Sequence, residues 1–240
     1  MITLVLLPGM DGTGDLFAPF ISALGSDFTV ITVRYPTAGP QDYTALRDIA
    51  QSALPSGRPF VLLGESFSGP VAVSLAASEP AGLVGLILCC SFVRNPWPLL
   101  NVLHSLVQLL PVKWIPVTLL NRVLLGRFAT QQLRSAFNQT LARVSPDALR
   151  ARMRAVLKTD VSTELKRIRI PSLYLRATED RIIPPYAAEL FSSSMPRSRI
   201  VDLEAPHFLL QAVPSEAACV IREFLREVAQ DCNLALQTDL

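Results

Sequence analysis

Three short segments of this chain contain the residue types that nucleophilic catalysis uses: a serine, a histidine and carboxylates. The first, residues 60–69, has an apolar run, a turn of small residues around Ser66, and the start of a helical pattern. A serine in such a turn can attack a carbonyl carbon when a histidine takes its proton. The helix N-terminus that follows would favour the developing negative charge. An ordinary buried turn between a strand and a helix is the alternative interpretation.

The sequence G-E-S-F-S at residues 64–68 resembles the nucleophile elbow of the α/β-hydrolase family, whose pattern is G-x-S-x-G. In that family a strained turn from strand to helix lifts the serine above the sheet. Here Ser68 stands at the second glycine of the pattern, and Gly69 follows it. The resemblance implies that Ser66 is the nucleophile of a serine hydrolase.

A general base in this family is a histidine later in the chain, and only two histidines are present. His104 lies in an apolar helical stretch, where a packed histidine or one on a lid surface explains it. His207 follows the last predicted strand in the sequence E-A-P-H-F, which resembles the family's loop with the catalytic histidine. Pro206 stands where glycine is common. A histidine that is merely hydrogen-bonded within a loop is the alternative.

The acidic partner of the histidine is expected after the penultimate strand. The sequence T-E-D-R-I-I-P resembles the family segment that carries it, and Asp180 is the aligned residue. Glu179 and Asp202 stay open as alternatives, as does a solvated carboxylate in a turn. The chain order Ser66, Asp180, His207 is the order found in this family.

The oxyanion that forms when a serine attacks a carbonyl needs two hydrogen-bond donors. The resemblance assigns one to the backbone N–H of Phe67 and the other to that of Met10, in the glycine-rich loop after the first predicted strand. Pro8 replaces the histidine that is usual in that loop. Such a loop could instead bind phosphate, but its glycines have the spacing G-x-x-G-x-G, and no Gly-Lys-Ser/Thr occurs there. We therefore favour the oxyanion role.

Short apolar runs alternate with helical patterns around these segments. Because strands that alternate with helices form parallel sheets covered on both faces, we predict an α/β fold with a mainly parallel sheet of about six strands flanked by helices. The apolar runs are residues 2–7, 28–33, 60–63, 83–90, 172–177 and 199–203. The helical patterns are residues 16–24, 43–53, 67–78, 186–194 and 215–229.

The alternation is interrupted once, by Leu-rich and Arg-rich helical patterns without a convincing strand. We therefore predict an α/β-hydrolase core of residues 1–90 and 170–240 and a helical lid of residues 91–169. Prolines, one histidine and one lysine interrupt every apolar window of about 20 residues there, so no stable membrane insertion is expected. The leucines between positions 99 and 125 either wall an apolar acyl pocket over Ser66 or only hold the lid together.

The charge of the chain is unevenly distributed. Residues 122–169 contain 11 of the 22 Lys and Arg residues but three of the 20 Asp and Glu residues, and the net charge is +2. The basic residues in the second half of this stretch are Arg143, Arg150, Arg152, Arg154, Lys158, Lys166, Arg167 and Arg169. The small net charge argues against a nucleic-acid partner.

A basic lid could attract an acyl group carried on an acidic surface, such as an acyl carrier protein or a coenzyme A thioester. The carrier-protein methyl esterases of the family are similar in this respect. A solvated helix face that is partly paired with local acids is the alternative. The acidic acyl carrier is thus a candidate partner beside a small-molecule ester.

We therefore predict a serine hydrolase that cleaves carboxylic esters through an acyl-enzyme, with an apolar acyl group and with no metal or organic cofactor. Thioesterases, acyltransferases and carbon–carbon bond hydrolases use the same triad and stay open. A non-catalytic binding protein on the same fold is the opposing class. The four cysteines lack the spacing of a metal site and the density of a disulfide scaffold, so a reducing, cytoplasmic compartment is predicted.

Overall fold

The computed structural model describes residues 2–103, 106–109 and 111–238. Six strands form one parallel sheet in the order β2-β1-β3-β4-β5-β6. The strands are β1 Thr3–Leu7, β2 Thr29–Thr32, β3 Phe60–Glu65, β4 Leu83–Cys89, β5 Ser172–Ala177 and β6 Ser198–Leu203. The predicted α/β fold with a parallel sheet of about six strands is confirmed.

Helices cover both faces of this sheet. The α-helices of the described part of the chain are α1 Ala18–Leu24, α2 Tyr43–Ser52, α3 Gly69–Ala76, α4 Val117–Leu125, α5 Gln131–Ala142, α6 Pro146–Lys158, α7 Ser162–Leu165, α8 Tyr186–Ser194, α9 Leu209–Ala212 and α10 Pro214–Thr238. Asp42, Thr130 and Ser145 begin α2, α5 and α6, because each side chain accepts a hydrogen bond from the backbone N–H three residues later. The last helix is longer than the pattern at residues 215–229 predicted.

The adjacent inner strands β1 and β3 are buried along their whole length. Parallel strands with helices on both sides have no solvent-facing side, which explains why these sequences are nearly continuously apolar. One apolar core contains Leu46, Val71 and Phe191, and the core on the other face contains Phe20 and Ile221. Burial of β1 and β3 from both sides fixes the loops that follow their carboxyl ends.

Between β4 and β5, the described residues contain α4 to α7 and four 3-10 helices. These are Pro98–Leu103, Leu106–Leu109, Val112–Trp114 and Gly126–Phe128. In the described part of this stretch, extended pairing is limited to an isolated bridge between Arg94 and Asp160. We call residues 90–171 the helical segment. His104 lies outside the described residues, so its predicted packing stays a prediction.

Large apolar side chains near the start of the helical segment are exposed. Leu99 and Trp114 are 90% and 84% exposed, and Leu106 and Leu119 are each about half exposed. A side chain that faces solvent cannot wall an enclosed pocket, so these three leucines do not form the acyl pocket considered above. Among the described residues, no helix combines the length and the apolar character that crossing a membrane requires.

Candidate active site

Ser66 lies at the sharp turn between β3 and α3, in a backbone conformation that L residues rarely adopt. Its φ is +46°, and such strain persists only where surrounding contacts enforce it. A Cβ on Gly64 would lie 2.8 Å from the Ser68 carbonyl oxygen, and a Cβ on Gly69 would lie 1.8 Å from Ser91 Oγ. Both positions therefore require glycine. The close contacts with the backbone at Ser68 and with the Ser91 side chain hold the turn in shape.

The structure brings Ser66, His207 and Asp180 together. Ser66 Oγ lies 2.8 Å from His207 Nε2, and His207 Nδ1 lies 2.8 Å from Asp180 Oδ2. Because a carboxylate can only accept, Nδ1 carries the ring proton and Nε2 accepts from the Ser66 hydroxyl. The side chains of His207 and Asp180 are 4% and 5% exposed. The arrangement can move a proton from the serine hydroxyl to the imidazole while bulk water is excluded from the ring.

Asp180 is held by the loop that follows β5. Its Oδ1 accepts the backbone N–H groups of Ile182 at 2.7 Å and Ile183 at 2.9 Å. The other carboxylate oxygen is then directed at His207. These backbone bonds keep the carboxylate in one orientation, and the carboxylate keeps the imidazole in one tautomer.

The two alternative carboxylates have other partners. Glu179 accepts from Arg127 at 2.7 Å. Asp202 forms two 2.7 Å hydrogen bonds with the Arg176 guanidinium, and this pair lowers the pKa of Asp202 below its usual value. Of the three candidate carboxylates, Asp180 is the one that contacts the histidine.

Ser68, at the position of the second family glycine, is fully buried and ties the turn to the loop after β1. Its hydroxyl donates to the Pro8 carbonyl. Since that proton is used, Tyr35 OH donates to Ser68 Oγ, at 3.0 Å. Burial raises the pKa of Tyr35, so the phenol stays protonated and available as a donor. Two positions at which the sequence departs from the family pattern therefore contact each other.

The loop after β1 passes beside Ser66. A Cβ on Gly9 would lie 3.9 Å from the Cβ of Ser66, so the peptide between Gly9 and Met10 is close to Ser66. The Gly9 carbonyl accepts from the backbone N–H of Gly12 at 3.0 Å. Gly12 has a φ of +73°, which a glycine adopts without strain. This tight turn keeps Gly9 next to the Ser66 side chain, and Met10 is the residue that follows.

The peptide group between Ser66 and Phe67 is fixed by a hydrogen bond to its carbonyl oxygen. The Ser66 carbonyl accepts from Ser91 Oγ at 2.5 Å. In a trans peptide the carbonyl and the N–H point in opposite directions, so this contact also sets the direction of the Phe67 N–H. Tyr43 stacks on the Phe67 ring at 4.9 Å, and its hydroxyl donates to the Phe67 carbonyl at 3.0 Å.

Glu65 directly precedes Ser66 and was not identified from the sequence as a site residue. It is buried, and its Oε1 accepts from Gln211 Nε2 at 2.8 Å. Burial raises the pKa of Glu65 from 4.5 to about 7, and the charge of Asp11 acts in the same direction. The hydrogen bond from Gln211 lowers this pKa in part. A carboxyl whose pKa is raised to about 7 therefore lies beside Ser66.

Arg152 on α6 does not lie where the sequence predicts it. We expected it on a basic surface, which is wrong, because it is 0% exposed. Its Nη1 donates to the Met10 carbonyl at 2.7 Å, and its Nη2 donates to the Pro36 carbonyl at 2.8 Å. Arg152 lies one helical turn after the buried Ala148, so both side chains are on the inward face of α6, but the sequence alone does not identify that face.

The remaining basic residues of the helical segment do not form one surface. Residues 166–169 come just before β5, whereas Ser66 follows the end of β3. Because all strands are parallel, residues 166–169 lie at the amino ends of the strands and Ser66 lies at their carboxyl ends. Arg167 accordingly reaches the carbonyl of Ala77 at the end of α3. Arg150 and Arg154 are four residues apart and share the face of α6 that points away from Arg152.

A groove of about 620 Å³ lies along α5. Its lining includes Leu16 from the chain after the β1 loop, Leu133 and Ala136 from α5, and Gln211. Gln211 contacts Glu65, so this end of the groove approaches the turn that carries Ser66. The volume is within the range of small-molecule pockets.

Within residues 2–103, 106–109 and 111–238, no group of three or more His, Cys, Asp or Glu side chains is arranged to hold a metal ion. Cys89 and Cys90 are buried free thiols, and Cys219 is an exposed free thiol. Burial raises the pKa of Cys89, which keeps the thiol protonated and unreactive.

Comparison with known proteins identifies relatives of this chain. A family model described as the alpha/beta hydrolase family matches residues 4–218. The pimeloyl-[acyl-carrier protein] methyl ester esterase of Aeromonas hydrophila subsp. hydrophila is 28% identical over 242 aligned residues, which cover 92% of this chain and 94% of that protein. Phytyl ester synthase 1, chloroplastic, of Arabidopsis thaliana is 34% identical over 116 residues, which cover 44% of this chain but 16% of that protein.

A solved structure resembles the whole fold. The enol-lactonase from Burkholderia xenovorans LB400 has a TM-score of 0.80 and 18% sequence identity, and the match covers 94% of this chain and 91% of that chain. At this identity the likeness concerns the fold alone.

Proposed function

The chain belongs to the alpha/beta hydrolase family, and on this basis we propose that it is a serine hydrolase that cleaves carboxylic esters. Ser66 is the nucleophile, His207 the general base, and Asp180 the residue that orients the base. The observation that carries the proposal is the line of two 2.8 Å hydrogen bonds from Ser66 Oγ through the imidazole to Asp180 Oδ2. The strained backbone at Ser66 supports the same role, because such strain concentrates at functional sites.

The proposed reaction begins when Ser66 Oγ bonds to the ester carbonyl carbon and its proton moves to His207 Nε2. The carbonyl electrons move to the oxygen, and we assign this oxyanion to the backbone N–H groups of Met10 and Phe67. His207 then protonates the leaving alcohol oxygen as the C–O bond breaks, which leaves an acyl-enzyme. Water repeats the sequence and releases the acid. Every step uses groups of the chain, the substrate and water.

We further propose that residues 91–169 form a lid over this site. Arg127, in the last 3-10 helix of the helical segment, pairs with Glu179 and Glu204. These glutamates lie in the loops after β5 and β6, which carry the orienting acid and the base. A lid that contacts both loops is well placed to bind substrate beside the nucleophile. The predicted cytoplasmic location stays a prediction.

The acyl group of the substrate is proposed to be apolar and to occupy the groove along α5. Support comes from the aliphatic side chains that line it, among them Leu16 and Leu133, and from its approach to the turn through Gln211. Burying a methylene group there would contribute up to about 0.8 kcal/mol. The groove replaces the exposed leucines near position 100 as the candidate acyl site.

A second candidate function is hydrolysis of an ester carried on an acidic acyl carrier. The likeness to a pimeloyl-[acyl-carrier protein] methyl ester esterase along nearly the full length of both chains favours it. Arg150 and Arg154, on the outward face of α6, are the side chains we assign to attraction of such a carrier. This candidate uses the same nucleophile and differs only in what carries the acyl group.

The test is hydrolysis of 4-nitrophenyl esters by purified wild-type protein and by single variants. We expect Ser66→Ala and His207→Ala to lower kcat/KM by several orders of magnitude with an unchanged circular dichroism spectrum, because these residues act as a unit. Asp180→Asn should lose somewhat less. Asp202→Asn, which removes a carboxylate already paired with Arg176, is the matched control and should retain wild-type activity.

The opposing outcomes are distinct. Full activity of Ser66→Ala would refute the assignment of the nucleophile. A wild-type protein that hydrolyses no ester or thioester in a panel of acyl lengths, and that a fluorophosphonate does not label at Ser66, would be a non-catalytic binding protein on this fold. If the protein cleaved thioesters or diketones faster than esters, or transferred the acyl group to an alcohol faster than to water, the roles of Ser66, His207 and Asp180 would stand and the reaction class would change.

A further inference from the structure

Arg152 connects the helical segment to the loop beside the nucleophile. It projects from the middle of α6, is completely buried, and donates to the carbonyls of Met10 and Pro36. Its guanidinium also lies 5.9 Å from the centroid of the Tyr35 ring. A buried charge is costly unless hydrogen bonds compensate it. The two carbonyls and the Tyr35 ring compensate the charge of the Arg152 guanidinium in its buried position.

The bond to the Met10 carbonyl matters because of what the neighbouring peptide does. The Met10 N–H, which we assigned to the oxyanion, belongs to the peptide whose carbonyl is on Gly9. That carbonyl accepts from the Gly12 N–H at 3.0 Å. The next carbonyl, on Met10 itself, accepts from Arg152 at 2.7 Å. Since peptide groups are planar, the two contacts together fix both planes that meet at the Met10 Cα, and with them the direction of its N–H.

The loop backbone lies directly against the guanidinium. A Cβ on Gly12 would lie 2.6 Å from Nη1 and 2.7 Å from Nη2 of Arg152, a distance that real Cβ atoms do not tolerate. The Gly12 carbonyl in turn accepts from the backbone N–H of Tyr35 at 2.7 Å. The loop therefore cannot adopt this path beside Arg152 unless position 12 is glycine, and it is held from both sides.

The helix that carries Arg152 is itself fixed to the core near its first turn. Ser145 Oγ accepts from the Ala148 N–H at 3.2 Å and caps α6. The backbone N–H of Ser145 donates to the Thr37 carbonyl at 2.8 Å. Thr37 is the neighbour of Pro36, whose carbonyl accepts from Arg152. The cap and the guanidinium thus attach α6 to one and the same loop, and the position of Arg152 follows from the position of α6.

We propose that Arg152 is a positioning residue that holds the Met10 N–H in the direction required to bind the oxyanion, and that the helical segment thereby controls the catalytic competence of the core. This inference rests on the proposed function, because it presumes attack by Ser66 on a carbonyl. Arg152 touches no reacting atom. Its effect is on the transition state, whose oxygen carries the charge, and not on binding of the neutral ester.

The first experiment compares kcat and KM of the wild-type protein, Arg152→Met, Arg152→Lys and the matched control Arg134→Met, in which an exposed arginine of α5 changes in the same way. We expect kcat of Arg152→Met to fall about 10- to 100-fold on a small neutral ester, since displacing a donor by about 1 Å has effects of this size. KM should change less than about twofold. Lysine can reach one carbonyl but not both, so Arg152→Lys should recover part of the loss.

The second experiment uses a trifluoromethyl ketone, to whose carbonyl carbon Ser66 Oγ adds. The Ser66 proton passes to His207 Nε2, and the ketone oxygen becomes the oxyanion. We expect Ki for this inhibitor to rise in Arg152→Met by about the same factor as kcat falls. The active fraction is counted by fluorophosphonate labelling, so that partly unfolded protein does not enter the comparison.

The outcomes separate the two proposals. An active, labelled wild type together with Arg152 variants whose kcat and Ki per labelled site equal those of Arg134→Met would overturn the positioning role and leave the proposed function intact. A lower melting temperature with unchanged values per labelled site would overturn it as well, because it would reveal a purely structural arginine. If Arg152→Met does not fold, Arg152→Lys decides by the same two measurements. A wild type without hydrolysis or labelling would instead reject the proposed function.

Discussion

Glu65 is a buried carboxyl that immediately precedes Ser66, and it accepts a hydrogen bond from Gln211. Burial is the largest cause of its raised pKa, and the charge of Asp11 acts in the same direction. The hydrogen bond from Gln211, the nearby His207 and the Gly9 backbone lower this pKa only in part. The folded protein therefore holds the proton on Glu65 more tightly than the unfolded chain does. The consequence is a stability that depends on pH near neutrality.

We expect the melting temperature of the wild-type protein to fall relative to that of Glu65→Gln as the pH rises. The pKa is raised from 4.5 to about 7 in the folded state, so the stabilising contribution is complete below pH 4.5 and is lost as the pH rises through about 7. A shift of this size corresponds to roughly 3 kcal/mol. Thermal unfolding followed from about pH 5 to about pH 8 measures the difference.

Glu216→Gln is the control for this measurement, because Glu216 is exposed on α10. It should keep the pH dependence of the wild-type protein. Parallel curves for the wild type and Glu65→Gln over the whole range would mean that Glu65 is ionised in the folded protein at low cost.

The residues of the candidate site differ in how well the sequence reveals them. Ser66, His207 and Asp180 could be selected because each lies in a segment similar to a family motif and because only two histidines compete for one role. Their contact is observed, while their catalytic roles stay a prediction. Arg152 could not be selected, because its contact with Met10 joins positions 142 residues apart. A role that arises only from such a distant contact leaves no local pattern.

The strands were easier to predict than the arrangement of the helical segment. Each predicted strand has a counterpart in the sheet, because buried parallel strands are short apolar runs bounded by turns. Residues 199–203, for example, match β6 to within one residue. In the helical segment, hydropathy alone could not tell buried from exposed leucines: Leu125 is buried and Leu99 is not. Short 3-10 helices give no sustained period from which an inward face could be identified.

The groove along α5 gives a prediction about acyl-chain length. Ala136 lines the groove, and Ala136→Trp should fill part of it. We expect the wild-type protein to prefer medium-length acyl esters over acetyl esters, and Ala136→Trp to reduce that preference by up to about fourfold for each methylene it displaces. The measurement is kcat/KM across a series of 4-nitrophenyl esters from acetyl to decanoyl.

Ala142→Trp is the matched control, because Ala142 is exposed at the end of the same helix and is not part of the groove lining. It should leave the chain-length profile unchanged. A flat profile in the wild type, or an equal change in both tryptophan variants, would show that the acyl group lies elsewhere.

At the scale of the whole molecule, the parallel sheet divides the basic stretch that the sequence presents as continuous. Residues 166–169 precede β5 and lie at the amino ends of the strands, whereas Ser66 lies at the carboxyl ends. Arg152 is buried. Arg150 and Arg154 share the face of α6 that points away from Arg152, and Arg150 pairs with Asp147. Arg143, which lines the groove along α5, pairs with Asp15. We expect any electrostatic steering of an acidic acyl carrier to come mainly from Arg150 and Arg154, because charges separated by more than about 10 Å of solvent are screened at ordinary salt.

This division allows a test with charge-matched variants. For an ester carried on an acidic acyl carrier, we expect kcat/KM to fall steeply with ionic strength, while kcat/KM for a small neutral ester stays nearly constant. The double variant Arg150→Glu with Arg154→Glu should lower the value for the carrier-bound ester about tenfold at low salt. The double variant Lys166→Glu with Arg167→Glu changes the net charge by the same amount at the amino ends of the strands and should have a much smaller effect. Equal losses in both variants would assign the effect to net charge alone, and equal salt sensitivity of both substrates would remove the acidic carrier as the second candidate.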